Sequence, residues 1–145
     1  MSLPSSVVIA PFAESDRAAT VELWQKCGLT RPWNDPSKDI DRKLSDPVGG
    51  FLVARLGGAV IGSVMFGYDG HRGSINYLAV HRSHQGAGLG RRLMHEAEAA
   101  LLELGCPKIN LMVRRGNAGA AGFYEKLSYL QDDVVVLGKR LIPDA

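Results

Sequence analysis

A glycine-rich segment is the part of the sequence whose residue types and spacing most clearly indicate chemistry. The run from Gln85 to Gly90, Gln-Gly-Ala-Gly-Leu-Gly, follows a strand-like stretch and precedes a long helical pattern. Glycines let a backbone turn sharply and approach a ligand without a Cβ in the way. The N–H groups at the start of a helix have no intrahelical partner and can donate to an anion. The segment therefore predicts a loop that binds a pyrophosphate.

The spacing of these glycines distinguishes between known classes of phosphate-binding site. A P-loop ends in Gly-Lys-Ser or Gly-Lys-Thr, which the sequence lacks. A dinucleotide fingerprint places its later glycines at offsets two and five, whereas here they fall at offsets two and four, with Arg91 at the fifth. A dinucleotide site is weakened but stays an alternative, as does a glycine-rich connection that binds no ligand.

A second motif extends the pattern beyond the loop. Gln85–Gly90 resembles the Gln/Arg-x-x-Gly-x-Gly/Ala signature of the GNAT superfamily of N-acetyltransferases. The stretch from Val113 to Asn117, followed by Tyr124 seven positions after Asn117, looks like the second signature of that family. Three further segments resemble a bacterial subgroup of the family, the YpeA-type acetyltransferases: residues 31–36, 67–73 and 137–142.

The resemblance implies a fold and a reaction. The fold would be an α/β GNAT fold, a single mixed, mostly antiparallel sheet with a splayed parallel central strand pair, flanked by helices. The reaction would move an acetyl group from acetyl-CoA to a primary amine of a small molecule, peptide or protein, by direct attack in a ternary complex. Loop amides would hold the pyrophosphate, and the strand before them the pantetheine arm.

Tyr124 would be the general acid that protonates the departing thiolate, since a phenol has a pKa near 10. Asn117 would contact the pantetheine arm, or only cap the following helix. The residues that the resemblance assigns to coenzyme binding are Leu78, Ala79, Val80, Gln85, Gly86, Ala87, Gly88, Leu89, Gly90, Arg91, Asn117 and Tyr124.

The general base is left unassigned by the resemblance. Ribosomal-protein N-terminal acetyltransferases carry a glutamate where this chain has Met112. Another group must help to deprotonate the acceptor amine. At pH 7, deprotonation costs roughly 4–5 kcal/mol for a lysine amine and about 1 kcal/mol for an α-amine. Each candidate has a structural alternative, such as a turn or a packed side chain. The candidates for the acceptor side are Trp33, Asn34, Asp35, Asp69, His71 and Tyr77.

Two other functions fit parts of the sequence. One is a domain that senses acyl-CoA without turnover, an alternative that Met112 keeps open. The other is an NADP-binding α/β protein, in which Arg114 and Arg115 would contact the 2′-phosphate. His81 and His84 are the only close histidine pair, and no nearby cysteine or carboxylate completes a zinc set, so we expect no metal.

The hydrophobic pattern predicts the elements that would position these residues. A strand over 7–11 and a helix over 16–26 come first, and Asp35 caps a helix that begins at Pro36 and ends near residue 45. Gly57-Gly58 joins two strands in a hairpin, and a third strand leads into the glycine loop. Further along, the pattern predicts a helix that ends at Gly105, a strand over 108–113, a helix over 118–127 and one or two strands over 129–142. This order predicts an α/β sheet with one parallel crossover.

Length and composition restrict the number of domains and the classes of partner that the chain can have. The 145 residues, 46% of them hydrophobic, predict a single domain over 1–145. A net charge of +2 is too small to indicate nucleic-acid binding, and no apolar run reaches the roughly 18–20 residues of a membrane helix. The first residues do not resemble a signal peptide, and Cys27 and Cys106 share no motif, so we expect a cytoplasmic location. A homodimer is expected only by analogy with the family.

Overall fold

One sheet of five strands, in the order β1-β2-β3-β4-β5, forms the frame of the protein in a computed structural model that describes residues 3–144. Neighbouring strands are antiparallel, except that β4 and β5 are parallel and are joined through α3. The elements are β1 (Val8–Pro11), α1 (Arg17–Lys26), α2 (Pro36–Leu44), β2 (Gly50–Leu56), β3 (Ala59–Tyr68), β4 (Gly73–Val80), α3 (Leu89–Glu103), β5 (Ile109–Asn110) and α4 (Ala118–Lys126), with short 3₁₀ turns at Glu14–Asp16 and Arg82–His84. The predicted mixed sheet with a parallel crossover is confirmed.

Local sequence signals explain where the helices and turns begin. The Asp35 carboxylate accepts hydrogen bonds from the N–H groups of Ser37 at 2.9 Å and Lys38 at 3.2 Å, and Pro36 takes the first helical position of α2. Two glycines at the β2–β3 turn supply the conformation that a tight hairpin needs, with φ +61 at Gly57. These predicted boundaries are confirmed.

The sheet buries a hydrophobic cluster on each face. On one face, α1 and α2 pack against alternate residues of β2 and β3, with Trp24 and Ile40 fully buried. On the other face, α3 packs over the intervening strand residues, with Leu93 and Ala97 fully buried. In the described part of the chain, no helix is both long and apolar enough to cross a membrane.

The end of the chain differs from the prediction. The strand predicted over 108–113 is only Ile109–Asn110, and residues 129–142 form none of the predicted strands. The tail is rich in β-branched residues, but a strand also needs a neighbouring backbone to exchange hydrogen bonds with, and residues 130–143 lie exposed instead. As a result the parallel pair lies at the edge of the sheet, not at its centre as expected.

Candidate active site

The glycine loop presents backbone N–H groups at the start of α3. Gly86 and Gly88 have φ of +81 and +89, and a Cβ on either would meet no atom within 4 Å, so conformation and not crowding requires glycine there. Among residues 3–144, no acceptor is found for the N–H groups of Gly86, Ala87 and Gly88. The N–H groups of the next three residues, at the start of α3, also lack an acceptor, because the first turn of a helix has no intrahelical partner for them. These amides can donate to an anion.

Side chains brace this loop from both sides. The Gln85 amide donates to the carbonyl of Val80 at 3.1 Å, and the His81 ring accepts the N–H of Ser83 at 3.2 Å. Gly90 has a different role from the other loop glycines, because a Cβ there would lie 3.1 Å from the ring of Phe123. The absence of a side chain at Gly90 therefore lets α4 pack closely against the start of α3.

The parallel strands separate soon after they meet. β4 pairs with β5 only at Gly73 and Ser74, so the rest of β4 up to Val80 has no strand on that side. On its other side, β4 stays paired with β3 as far as Val80. Leu78, Ala79 and Val80 lie in this separated part, as the resemblance implies. We call the opening between β4 and the chain after β5 the splay.

A β-bulge shapes β4 where it borders the splay. The register between β3 and β4 shifts so that Tyr77 and Leu78 stand opposite Val64 alone, and Tyr77 has φ +51, which is uncommon for a non-glycine residue. The buried hydroxyl of Ser63 accepts the indole N–H of Trp24 at 2.8 Å and donates to the carbonyl of Tyr77 at 2.8 Å. The Tyr77 ring also stacks on Trp24, with 3.8 Å between ring centroids. Residues of α1 and β3 thus fix the bulge.

Tyr124 lies on α4 and packs against the same core cluster as Leu78 and Val80. Its ring makes edge contacts with Phe123 and Tyr129, at centroid distances of 5.1 and 5.7 Å. Burial raises the pKa of the Tyr124 hydroxyl to about 12, so it is protonated at neutral pH and can donate.

Asn117 caps α4. Its side-chain oxygen accepts the N–H of Ala120 at 3.1 Å. The capping interpretation is confirmed, and a contact between Asn117 and the pantetheine arm stays a prediction. Met112, the position of the absent glutamate, has 71% of its surface exposed.

A carboxylate that the sequence analysis missed lies beside the bulge. Asp39, on α2, accepts hydrogen bonds from the hydroxyl of Tyr77 at 2.7 Å, the amide of Asn34 at 2.7 Å and the guanidinium of Arg42 at 3.1 Å. Burial and the Asp39 carboxylate both raise the pKa of Tyr77 well above its usual value. In the sequence Asp39 looks like one of many charges on an exposed helix, so no local signal marked it.

The other predicted acceptor residues fall into two groups. Trp33, Asn34 and Asp35 lie near Asp39, and Asp35 is occupied as the cap of α2. Asp69 and His71 lie in the β3–β4 turn, where the Asp69 carboxylate accepts two backbone N–H groups at 2.7 Å that lower its pKa. The turn precedes Gly73, and β4 rises about 3.3 Å per residue. Asp69 and His71 are therefore not brought together with Tyr77.

The tail of the chain returns to the same region at Asp144. The Asp144 carboxylate accepts the N–H of Asp35 at 2.7 Å and pairs with Arg42 at 2.6 Å, and these partners hold its pKa at about 2. Arg140 donates to the side chain of Asn34. Between the tail and α2 lies an open cavity of about 620 Å³, which we call the tail cavity; it is lined by Trp33, Asn34, Arg42 and residues 138–142.

Most of this arrangement lies in a stretch of the chain that matches a known family. The model of the acetyltransferase (GNAT) family matches residues 12–129, which include the glycine loop, the bulge, Asn117 and Tyr124. This chain belongs to the GNAT family. The case for an NADP-binding protein is correspondingly weakened, and Arg114 is found with its guanidinium 5.6 Å from the centroid of the Trp33 ring.

Curated relatives and solved GNAT structures agree with this assignment. A protein named an acetyltransferase in Yersinia enterocolitica is 51% identical over 136 residues, covering 94% of this chain and 96% of that protein. Another in Pectobacterium atrosepticum is 51% identical over 133 residues, covering 92% and 94%. These relatives support an N-acetyltransferase enzyme and not a sensor without turnover.

The solved structures support the fold. A structure of AAC(6')-Iy in complex with the bisubstrate analogue CoA-S-monomethyl-acetylneamine superposes with a TM-score of 0.78 at 14% identity, covering 95% of this chain and 100% of that one. A ribosomal-protein-alanine N-acetyltransferase from Brucella melitensis superposes with a TM-score of 0.73 at 22% identity, covering 92% and 99%.

Proposed function

We propose that this enzyme transfers an acetyl group from acetyl-CoA to a primary amine by direct attack in a ternary complex. The observation that carries the proposal is the row of free loop amides beside a strand whose backbone is unpaired at the splay. A pyrophosphate bound to the amides would start the pantetheine arm at the mouth of the splay. The arm could then run along Leu78, Ala79 and Val80.

Backbone donors are sufficient to bind such a ligand. A hydrogen bond to a charged group is worth about 1.5–3 kcal/mol, and an anion at a helix start gains about 0.3–1 kcal/mol more. Binding of the pyrophosphate should not be sensitive to side-chain identity in the loop, because the donors are the backbone N–H groups of Gly86, Ala87 and Gly88. We infer that acetyl-CoA is a cosubstrate held by Gln85 to Arg91.

The chemistry needs one proton donor and one proton acceptor. The amine nitrogen attacks the thioester carbonyl carbon, the carbon–sulfur bond breaks, and the thiolate takes a proton from the hydroxyl of Tyr124. The attacking nitrogen releases a proton to solvent water, and the Tyr124 phenolate regains one from the solvent. With Met112 in place of a glutamate, we infer that the amine is received by Tyr77, whose hydroxyl donates its proton to Asp39 and whose oxygen can therefore accept an amine N–H.

Ligand binding and turnover test the proposal separately. Acetyl-CoA at a hundredfold excess over its Kd should stabilise the protein by about 2.7 kcal/mol and raise its melting temperature by several degrees. NADP should not. Release of free thiol should then require an amine, in a screen of small amines, polyamines, lysine peptides and peptides with free N-termini. Stabilisation by NADP and none by acetyl-CoA would contradict the proposal.

We also infer a homodimer, built on the tail. Five large aliphatic residues of the tail that do not line the tail cavity are between 64% and 90% exposed: Leu130, Val134, Val135, Val136 and Leu137. If each buries on the order of 100 Å² on association, these side chains supply about 500 Å² per chain, and backbone pairing would bring the buried area closer to the roughly 800 Å² per partner of a standard interface. The strand-forming segment 134–137 and the uncovered edge of β5 suit pairing with a second copy.

Sedimentation equilibrium tests the homodimer. The wild-type chain should sediment at twice its 15.6 kDa mass. Leu137→Asp should give a monomer, whereas Leu102→Asp should not, because Leu102 is 74% exposed on α3, outside the tail. A wild-type chain that is monomeric up to about 100 μM contradicts the dimer, since a functional interface of this size binds more tightly.

A further inference from the structure

We propose that the acceptor of this enzyme is an amine that also carries an anionic group, such as a carboxylate or a phosphate. Its amine would meet Tyr77 beside the splay, and its anionic group would lie in the tail cavity against Lys139 and Arg140. The inference rests on the proposed acetyl transfer and adds the chemical class of the acceptor.

The charge of the tail cavity is the first observation that favours an anionic group on the acceptor. Three of its lining residues, Arg42, Lys139 and Arg140, are cationic, and none of the lining residues is acidic. The carboxylates that pair with these cations are largely buried: the side chain of Asp144, which pairs with Arg42 and Arg140, is 1% exposed, and that of Asp39, which pairs with Arg42, is 20% exposed. Within residues 3–144, no ion pair or hydrogen bond is found for the ammonium of Lys139. The surface that a ligand would meet is therefore positive.

The contacts of Asp39 join this cavity to the splay. Asn34 and Arg42 line the tail cavity, and both donate to Asp39. The same carboxylate accepts the hydroxyl of Tyr77, which stands on the bulge of β4. One compact ligand can therefore reach the bulge with one end and the tail cavity with the other. An aromatic wall, Trp33 with the guanidinium of Arg114 over its ring, borders the path.

The two ends of the site select opposite charges. At the bulge, the Tyr77 hydroxyl donates its proton to Asp39, so its oxygen can act towards a ligand only as an acceptor, for which an amine N–H is a suitable donor. In the tail cavity, the cations favour an anion and repel a second ammonium. A polyamine would place a positive group among Arg42, Lys139 and Arg140, whereas an amino acid or a phosphorylated amine would place a negative one there.

Matched acceptor pairs test the inference through coenzyme A release. We would compare 4-aminobutyrate with butylamine, phosphoethanolamine with ethanolamine, and a dipeptide with its C-terminal amide. The anionic member of at least one pair should have a kcat/KM at least tenfold higher, mainly through a lower KM. Equal values within every pair, or higher values for spermidine, would overturn the inference while leaving acetyl transfer intact. No acetylation of any amine would overturn both.

Two substitutions separate the ends of the site. Lys139→Glu should abolish the preference for the anionic member of a pair, whereas Lys26→Glu, an equal change of charge at an exposed site on α1, should keep that preference as in the wild type. Tyr77→Phe should lower kcat/KM for both members of a pair by a similar factor. Calorimetry of the preferred anionic acceptor with coenzyme A-saturated protein gives a second readout without turnover. A Kd unchanged by Lys139→Glu would also overturn the inference.

Discussion

In the proposed active site, the coenzyme half and the acceptor half are built in different ways. The coenzyme half uses main-chain groups of one continuous segment, Gln85 to Arg91, together with the unpaired edge of β4. The acceptor half uses side chains from distant parts of the chain, such as the pair of Tyr77 with Asp39 and the pair of Arg140 with Asn34. The first half is therefore insensitive to most side-chain changes, and the second can change with few substitutions.

This difference explains how one fold can serve many acceptors. Amides at a helix start recognise a pyrophosphate whichever side chains surround them, provided that glycine allows the turn at Gly86 and Gly88. Recognition in the acceptor half depends instead on which charges the Trp33 segment and the tail contribute. Changes in these two segments would alter specificity without disturbing coenzyme binding.

The largest expected effect comes from Tyr124→Phe, which removes the proposed proton donor. We expect kcat to fall at least a hundredfold, within the 10²–10⁴-fold range of general acid catalysis, while the Kd for acetyl-CoA stays within about twofold. Tyr129→Phe is the matched control, because the Tyr129 hydroxyl donates to Glu98 and not to the splay. Steady-state kinetics and calorimetry measure both quantities. Full activity of Tyr124→Phe would exclude the general-acid role.

The pH dependence gives a second check on Tyr124. Because burial raises its pKa to about 12, the hydroxyl stays protonated, and able to donate, as pH rises towards that value. The kcat of the wild type should therefore show no fall between pH 8 and pH 10. A fall centred near pH 10, the ordinary pKa of tyrosine, would contradict a buried acid.

Ser63→Ala should have the next largest effect and should act on the acceptor half. Without the hydroxyl, the indole N–H of Trp24 and the carbonyl of Tyr77 both lose a buried partner, at about 1–3 kcal/mol each. We expect the free energy of urea unfolding to fall by roughly 2–4 kcal/mol and the KM for the amine to rise. The exposed Ser74→Ala should change stability by less than about 0.5 kcal/mol. Unchanged amine kinetics would show that the bulge does not position the acceptor.

Local signals account for what could be predicted from the sequence. The helix cap at Asp35, the hairpin glycines and the helix start after the glycine-rich segment each depend on a few adjacent residues, and all three are confirmed. The ligand of that segment stays a prediction. Asp39 could not be found, because its role depends on a contact with Tyr77, 38 positions away in the chain. The tail strands were wrong for a related reason: the residues favour a strand, but no neighbouring strand lies beside them.

Gly88→Ala tests the coenzyme half alone. Both Gly88 and Gly105 have positive φ and open space around them, so an alanine at either should cost about 1–2 kcal/mol of stability. Only Gly88 belongs to the loop. We therefore expect Gly88→Ala to weaken acetyl-CoA binding about tenfold, equivalent to 1.4 kcal/mol, and Gly105→Ala to leave it unchanged. Equal coenzyme affinity in both variants would contradict a ligand at the loop amides.

The smallest expected effect is a gain in stability at the end of α4. Ser128 has φ +72, where a side chain costs about 1–2 kcal/mol that glycine avoids, so Ser128→Gly should raise the free energy of unfolding by about 1 kcal/mol. Ser45 follows α2 with φ −85, and Ser45→Gly should instead lower stability by about 0.5–1 kcal/mol. Opposite signs in urea unfolding would confirm that conformation sets both effects. Because Tyr124 lies in the last turn of α4, an unchanged kcat in Ser128→Gly would also show that packing against Phe123 and Tyr129, and not the strained turn, holds the acid in place.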